Sequence, residues 1–346
     1  MQKKALVLLN LGTPDSTQIR DVRKYLKEFL SDPRVIDSHP LIRWMILHLF
    51  ILPFRPAKSA KAYRAIWSAQ GSPLLIHTKN LATNIQKITG PNVYVTYMMR
   101  YQNPSIKTVM TTLQEKGFDK ITVVPLFPQY SSAASGSATE AIFRHISHRW
   151  NVPEIEVLSE FYREPEFIQS SCQIGIQSMR EEKFDKILFS FHGLPERHCR
   201  KSDESSGHQY CLQRDDCCAS INDSNRRCYR AQCFATAQAM ASELRLSQKQ
   251  WEVAFQSRLG RTPWITPYTD ERITALPSEG VKNLGIFVPS FVADCLETLE
   301  EIGIRAREDF IRSGGHKLTL IPALNASEIW ARGLCDIIRR RSSILS

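Results

Sequence analysis

The stretch "KILFSFHGLPERHCR" (186–200) runs Ile187, Leu188, Phe189 and Phe191 straight into His192, where Gly193 and Pro195 must already turn the chain. A histidine changes charge close to neutral pH, so one held at the mouth of a buried strand can accept a proton or ligate a metal. Farther on, "ADCLETLEEIG" supplies carboxylates. Asp294, Glu297 and Glu301 stand at i, i+3 and i+7, which places them on one face of an α-helix as hard oxygen ligands for a cation. Six of the nine cysteines crowd between Cys199 and Cys233, and from Cys211 onward their spacing, C-x5-C-C-x9-C-x4-C, matches no standard zinc finger. In a cytoplasmic chain such crowding favours a metal over disulfides, and a thiolate-rich group selects zinc or an iron–sulfur cluster.

The elements that must position these residues alternate. "KALVLLNL", "NVYVTYMM", "DKITVVPLF", "EIEVLSEF", "DKILFSF", "WEVAFQS", "NLGIFVPSF" and "HKLTLIP" read as strands, and helical patterns lie between them. After the first strand, for example, Ile19, Val22, Leu26, Phe29 and Leu30 share one helical face. Runs this rich in Val, Ile and Leu, separated by helices, predict parallel sheets covered on both faces, a doubly wound α/β protein. "ALVLLNLGTP" and "ILFSFHGLP" echo one another, which predicts two similar halves that meet near residues 150–165. In such folds ligands bind beyond the carboxyl ends of the strands, where His192 stands and where Pro289, Ser290 and Phe291 mark a second strand mouth. No G-x-G-x-x-G or P-loop follows any strand, so nucleotide binding has no support.

Composition narrows the partners. The net charge is +10, with 45 basic against 35 acidic residues. That excess suits an anionic small molecule or an anionic membrane surface, and no nucleic-acid motif with interleaved aromatics accompanies it. The opening "MQKKALVLLNLGTP" has too short an apolar run for a signal peptide and reads as the first strand, so a cytoplasmic location is expected. "PLIRWMILHLFILPF" (40–54) falls short of the roughly 18 to 20 residues of a spanning helix and contains Arg43 and His48. It is expected either as a core helix or as a helix on a membrane surface or pocket lip, peripheral to the inner face of the membrane.

Several segments together resemble the ferrochelatases, lyases that insert ferrous iron into a porphyrin. They are "LNLGTP", "GSPLL", "RYQNPSI", "PLFPQYSSAASGS", "FSFHGLPER", "FQSRLGRTPWITPYTDE" and "FVADCLETLEEI", and they span essentially the whole chain. The resemblance implies two similar Rossmann-like domains, each with a mainly four-stranded parallel sheet, and an active-site cleft between them. The expected domains are 1–160 with a C-terminal helix in 316–346, and 161–315 carrying His192, Glu297 and the insertion 199–233. By position, His192 and Glu297 match the family's catalytic and iron-binding pair. Tyr63, Arg100, Tyr101, Tyr130, Trp264, Phe291 and Asp294 match residues of the porphyrin pocket, while Cys295 stands where many members have histidine.

The resemblance further implies Fe2+ insertion into protoporphyrin IX to form protohaem, the last step of haem biosynthesis. The alternatives are coproporphyrin as substrate, or a non-enzymatic haem- or iron-sensing protein. An upstream haem-pathway enzyme is an expected partner beside the porphyrin. The cysteine insertion resembles that of bacterial members with an internal [2Fe–2S] cluster, for which four thiolates suffice. The expected ligands are Cys211, Cys228 and Cys233 with one of Cys217 and Cys218, and Cys199 is the expected bystander. Whether His192 acts as base or as iron ligand stays open at this level.

Overall fold

A computed structural model describes residues 2–260 and 262–345. The eight strands are β1 (Lys4–Gly12), β2 (Val93–Tyr101), β3 (Lys120–Pro125), β4 (Glu154–Val157), β5 (Lys186–His192), β6 (Trp251–Gln256), β7 (Asn283–Phe287) and β8 (Lys317–Leu320). They form two four-stranded sheets, in the orders β2-β1-β3-β4 and β6-β5-β7-β8, and every pairing is parallel. The order is the same in both, so β1 and β5, the two strands whose sequences echo, hold equivalent places. Both are inner strands. Ala5 to Leu9 and Leu188 to Phe191 are wholly buried, as an apolar run covered by helices on both faces must be.

The chain divides into two compact units. The first comprises Met1–Phe127, Ser132–Glu160 and Asn325–Ser346, and the second Pro128–Ser131 and Phe161–Leu324. The boundary expected at 315/316 is therefore corrected to 324/325. β8 pairs with β7 from Asn283↔Lys317 to Ile286↔Leu320 and completes the second sheet, and the helix that returns to the first unit is Glu328–Arg341. In the first unit Ala5, Val7, Leu9, Met98, Ile121, Val123 and Ile142 form the core. In the second, Leu188, Ala254, Leu284, Ile286, Ile302 and Phe310 do so. Gly12 closes β1 with φ +117°, and a Cβ there would lie 2.0 Å from the Tyr101 carbonyl oxygen. Only glycine lets the two strand ends approach so closely.

The apolar run 40–54 satisfies both readings in part. A short α-helix, Pro40–Met45, continues as a π-helix, Ile46–Ile51. Leu47 and Ile51 are buried with Leu30 and Leu52, whereas Leu41, Ile42, Trp44, Leu49, Phe50 and Phe54 are exposed. Among the described residues no helix is long and apolar enough to cross a membrane.

Candidate functional site

His192 is the last residue of β5, and the sheet ends around it. On one side its register partner is Gln256, the last residue of β6. On the other, pairing with β7 stops at Phe189↔Phe287, three residues earlier. The Gly193 amide donates to the Gln256 carbonyl at 2.7 Å, and a Cβ on Gly193 would lie 2.8 Å from that oxygen and 3.2 Å from the Trp264 ring. The turn is thus built for glycine by close approach. His192 Nδ1 lies 2.7 Å from the Gly193 carbonyl oxygen. A carbonyl can only accept, so in the neutral ring Nδ1 carries the proton and Nε2 the lone pair. Phe291 stands edge-on to the imidazole, ring centroids 6.2 Å apart. Trp264 is buried and donates from Nε1 to the Leu259 carbonyl at 2.9 Å.

Gln256 also ties the carboxylates to the histidine. Its Nε2 donates to the Glu297 carbonyl at 2.8 Å while its Oε1 accepts from Ser190 Oγ at 2.7 Å, so the strand end that pairs with His192 also holds the helix start at Glu297. That helix, Glu297–Ala306, is a π-helix, and Asp294 precedes it. The single α-helical face expected for Asp294, Glu297 and Glu301 is corrected accordingly. In the i→i+5 helix the turn widens, a feature frequent at functional sites. Buried Asp294 accepts from Thr298 Oγ1 at 2.9 Å. Glu301 accepts from Ser257 N at 3.0 Å and from Ser257 Oγ at 2.6 Å. Burial raises the Glu301 carboxyl above its ordinary range and the Glu297 charge adds to this, against Ser257, His192 and Arg305. Cys295 is buried and donates its thiol to Glu297. Among the expected residues the second unit therefore brings together His192, Trp264, Phe291, Asp294 and Glu297. Tyr130 belongs to the same unit, its amide donating to Gln232 Oε1 at 2.7 Å.

Tyr63, Arg100 and Tyr101 belong to the first unit. Tyr63 is buried, edge-on to Tyr25 and Trp67. Arg100 donates from Nη2 to Asp32 at 2.6 Å and from Nε to Ser137 at 2.7 Å. Tyr101, 1% exposed, donates its hydroxyl to Asp32 at 2.9 Å. Asp32 is missed by sequence reasoning. Burial alone would raise its carboxyl, yet Ser137, the Arg34 amide, Tyr101 and Arg100 together hold it below the ordinary value. Gln256 was likewise missed, although it sits inside the "FQSR" motif at a strand end, the one place from which it can reach both neighbours.

The nine cysteines are free thiols and all are buried. Cys199, Cys211 and Cys218 each hydrogen-bond to Cys228, and these bonds pull the Cys228 thiol well below its ordinary range. Arg230 Nη1 donates to Cys218 Sγ at 3.1 Å, and Leu212 N to Cys217 Sγ at 3.4 Å. Cys217 Sγ lies 3.7 Å from Cys218 Sγ. Two buried side chains fold the segment into this shape. Asp203 accepts from the amides of Ser205, Tyr210 and Cys211, and Asn225 donates to the carbonyls of Cys217 and Ser220. Cys199, the expected bystander, also interacts with Cys228, and Cys233 accepts from the Tyr229 hydroxyl and feels the Cys228 charge. Among the described residues no three His, Cys, Asp or Glu are set out to hold a single metal ion.

A family model described as Ferrochelatase matches residues 3–342. A ferrochelatase of Legionella pneumophila (strain Corby) is 46% identical over 339 residues, which cover 98% of this chain and 99% of the relative. One of Coxiella burnetii (strain CbuG_Q212) is 45% identical over 339 residues, 98% of this chain and 94% of the relative. Among solved structures, SirB from Bacillus subtilis with Fe3+ matches with TM-score 0.53 and 12% identity over 99% of this chain and 96% of that one. CbiX, the terminal enzyme for biosynthesis of siroheme in denitrifying bacteria, matches with TM-score 0.50 and 11% identity over 99% and 100%. At such identities the two structures speak for the fold alone.

The Asp32 network makes a signed prediction. A carboxyl whose folded pKa is depressed contributes stability above its unfolded value, here 3.8, and that stability is lost as pH falls through the depressed folded value. Asp32→Asn takes the counter-charge from half-buried Arg100 and weakens the hydrogen bonds that converge on the carboxylate, and should cost about 2 kcal/mol at pH 7. Thermal melts followed by circular dichroism should show the gap from wild type closing as the solution is acidified below the carboxylate range. A variant as stable as wild type at pH 7 would contradict the assignment.

Proposed function

Since the chain belongs to the ferrochelatase family, and so is an enzyme that inserts a metal into a porphyrin, we propose that its reaction is insertion of Fe2+ into protoporphyrin IX to give protohaem. The observation that carries the proposal is the shared brace of Gln256, which pairs with His192 and holds the Glu297 carbonyl. Metallation must remove two pyrrole protons as iron enters the ring. With Nδ1 committed to the Gly193 carbonyl, His192 Nε2 is the nitrogen that takes a pyrrole proton. His192 passes that proton to solvent and takes the second in turn, Glu297 supplies an oxygen ligand to the incoming iron, and Glu301, whose carboxyl burial raises, stands within electrostatic reach of both. Trp264, Phe291 and Tyr130 press on the flat macrocycle. Tyr63 and Tyr101 are assigned to the porphyrin by the family positions they match, and Asp294 holds the turn into the helix through Thr298. Arg100 uses Nε and Nη2 on Ser137 and Asp32, which leaves Nη1 for a propionate.

The donor types around Cys228 suit a [2Fe–2S] cluster: Cys199, Cys211 and Cys218 each interact with Cys228, beside the Arg230 guanidinium that would offset the charge of four thiolates. Cys199, Cys211, Cys218 and Cys228 would hold it, and Cys217 would stand just outside. Bound there, such a group supplies one-electron chemistry and a cross-link between four points of the segment. We also assign the exposed Leu41, Ile42, Trp44, Leu49, Phe50 and Phe54 to an anionic inner membrane face, the source of a greasy porphyrin in a cytoplasmic enzyme. The next helix, Arg55–Ile66, exposes Arg55, Lys58, Lys61 and Arg64 beside them.

Two measurements test these assignments. In anaerobic turnover with Fe2+ and protoporphyrin IX followed by absorbance, His192→Ala should lower kcat at least a hundredfold, and Glu297→Gln should also lower it severely. Porphyrin affinity from tryptophan quenching should stay within about twofold, since neither change removes an aromatic wall. Near-normal turnover by His192→Ala would sink the mechanism. Separately, anaerobically purified protein should be coloured, with iron and sulfide near two each per chain. Ser at 199, 211, 218 or 228 should bleach it, because losing one ligand unfolds the site. Cys233→Ser should keep its colour; bleaching there with colour retained in Cys199→Ser would restore the ligand set expected from spacing.

A further inference from the structure

His192 stands beyond the end of the β7 ladder, so on that side no strand carbonyl meets its amide. Ser290, three residues past β7, meets it instead: its Oγ accepts from His192 N at 3.3 Å. The same hydroxyl lies 2.8 Å from Tyr229 Oη, and Tyr229 hydrogen-bonds in turn to Cys233. The polarity of this chain follows from its ends. An amide N–H can only donate, and Cys233 accepts from Tyr229, so the Ser290 hydroxyl gives its proton to Tyr229. Tyr229 and Cys233 are buried, which makes each bond costly to leave unmade.

Tyr229 is also the residue after Cys228. Cys228 is the N-cap of the helix Tyr229–Glu243 and the thiol on which three others converge. Whatever fixes Cys228 therefore fixes the start of that helix, and with it the tyrosine that holds Ser290. We infer that Tyr229 and Ser290 are positioning residues for His192, and that the ordered cysteine-rich segment acts through them on the rate of metallation. The inference rests on His192 as the metallating histidine. It does not depend on which metal group the thiols hold.

The test uses full-length protein purified anaerobically, with Ser290→Ala, Tyr229→Phe, the double variant and Ser290→Thr beside wild type and His192→Ala. Each single change removes a hydroxyl that makes two bonds of the chain, the Ser290–Tyr229 bond among them, and should lower kcat about tenfold, with KM for porphyrin within about twofold and visible absorbance unchanged. Because the two residues act in series, the double variant should be no slower than the slower single one. Ser290→Thr, which restores the hydroxyl, should recover most of the rate. Wild-type kcat in both single variants, or multiplied losses in the double, would overturn the inference. So would a fall in kcat that tracks lost absorbance, since Tyr229 would then only hold the segment together. An active His192→Ala would instead overturn the reading of the site itself.

Discussion

A parallel sheet can hold a residue only as far as its neighbouring strands extend, and the histidine proposed to carry the chemistry stands one step past that limit. His192 closes β5 with ladder support from β6 alone. Beyond it the backbone is fixed by single contacts, the Gln256 carbonyl to Gly193 and the Ser290 hydroxyl to His192. These contacts let an ionisable ring stand at the strand mouth without a mobile loop beneath it. They also make the histidine dependent on residues that never touch substrate. Gln256 couples it to the start of the acidic helix, and Ser290 couples it to the cysteine-rich segment through Tyr229.

The other two sets of buried polar groups follow the same logic of complete satisfaction. In the first unit the Asp32 carboxylate takes up Arg100, Tyr101, Ser137 and the Arg34 amide, and a charge so surrounded can stay ionised away from water. In the insertion, Asp203 and Asn225 use their side chains to close turns that have no strand or long helix to stabilise them. Each polar knot fixes the end of an element that carries a site residue. Asp32 orients Arg100 at the end of β2, and Asp203 draws Cys211 back towards Cys199.

All eight strands were legible because period and length agreed with a sheet buried on both faces, a pattern few other structures produce. His192 was legible for the opposite reason: a titratable ring ending an apolar run breaks that pattern. What escaped depends on turns and on helix pitch. Nothing in "CLETLEEIG" signals i→i+5 bonding, so an α-helical face was expected where a π-helix begins after Asp294. Cysteine spacing gives separation along the chain, not the reversal imposed by Asp203, so Cys199 looked remote from Cys228 when Cys228 helps to raise its thiol. Spacing alone also gives no sign that Cys233, five residues from Cys228, takes the Tyr229 hydroxyl one turn back in the helix. The run 40–54 divided between the two readings because the small core beside Leu30 takes in Leu47, Ile51 and Leu52 and leaves several other apolar side chains exposed.

The central claim is that His192 presents Nε2 with a free lone pair because Nδ1 is bound to the carbonyl of the glycine that follows it. Nitrogen-15 NMR of histidine-labelled protein, with His192 assigned by comparison with His192→Gln, measures this directly. The account predicts a protonated Nδ1 and an unprotonated Nε2 in the neutral ring, with Nε2 the nitrogen that shifts when porphyrin is added. The opposite tautomer, with the proton on Nε2 and the shift at Nδ1, would contradict it.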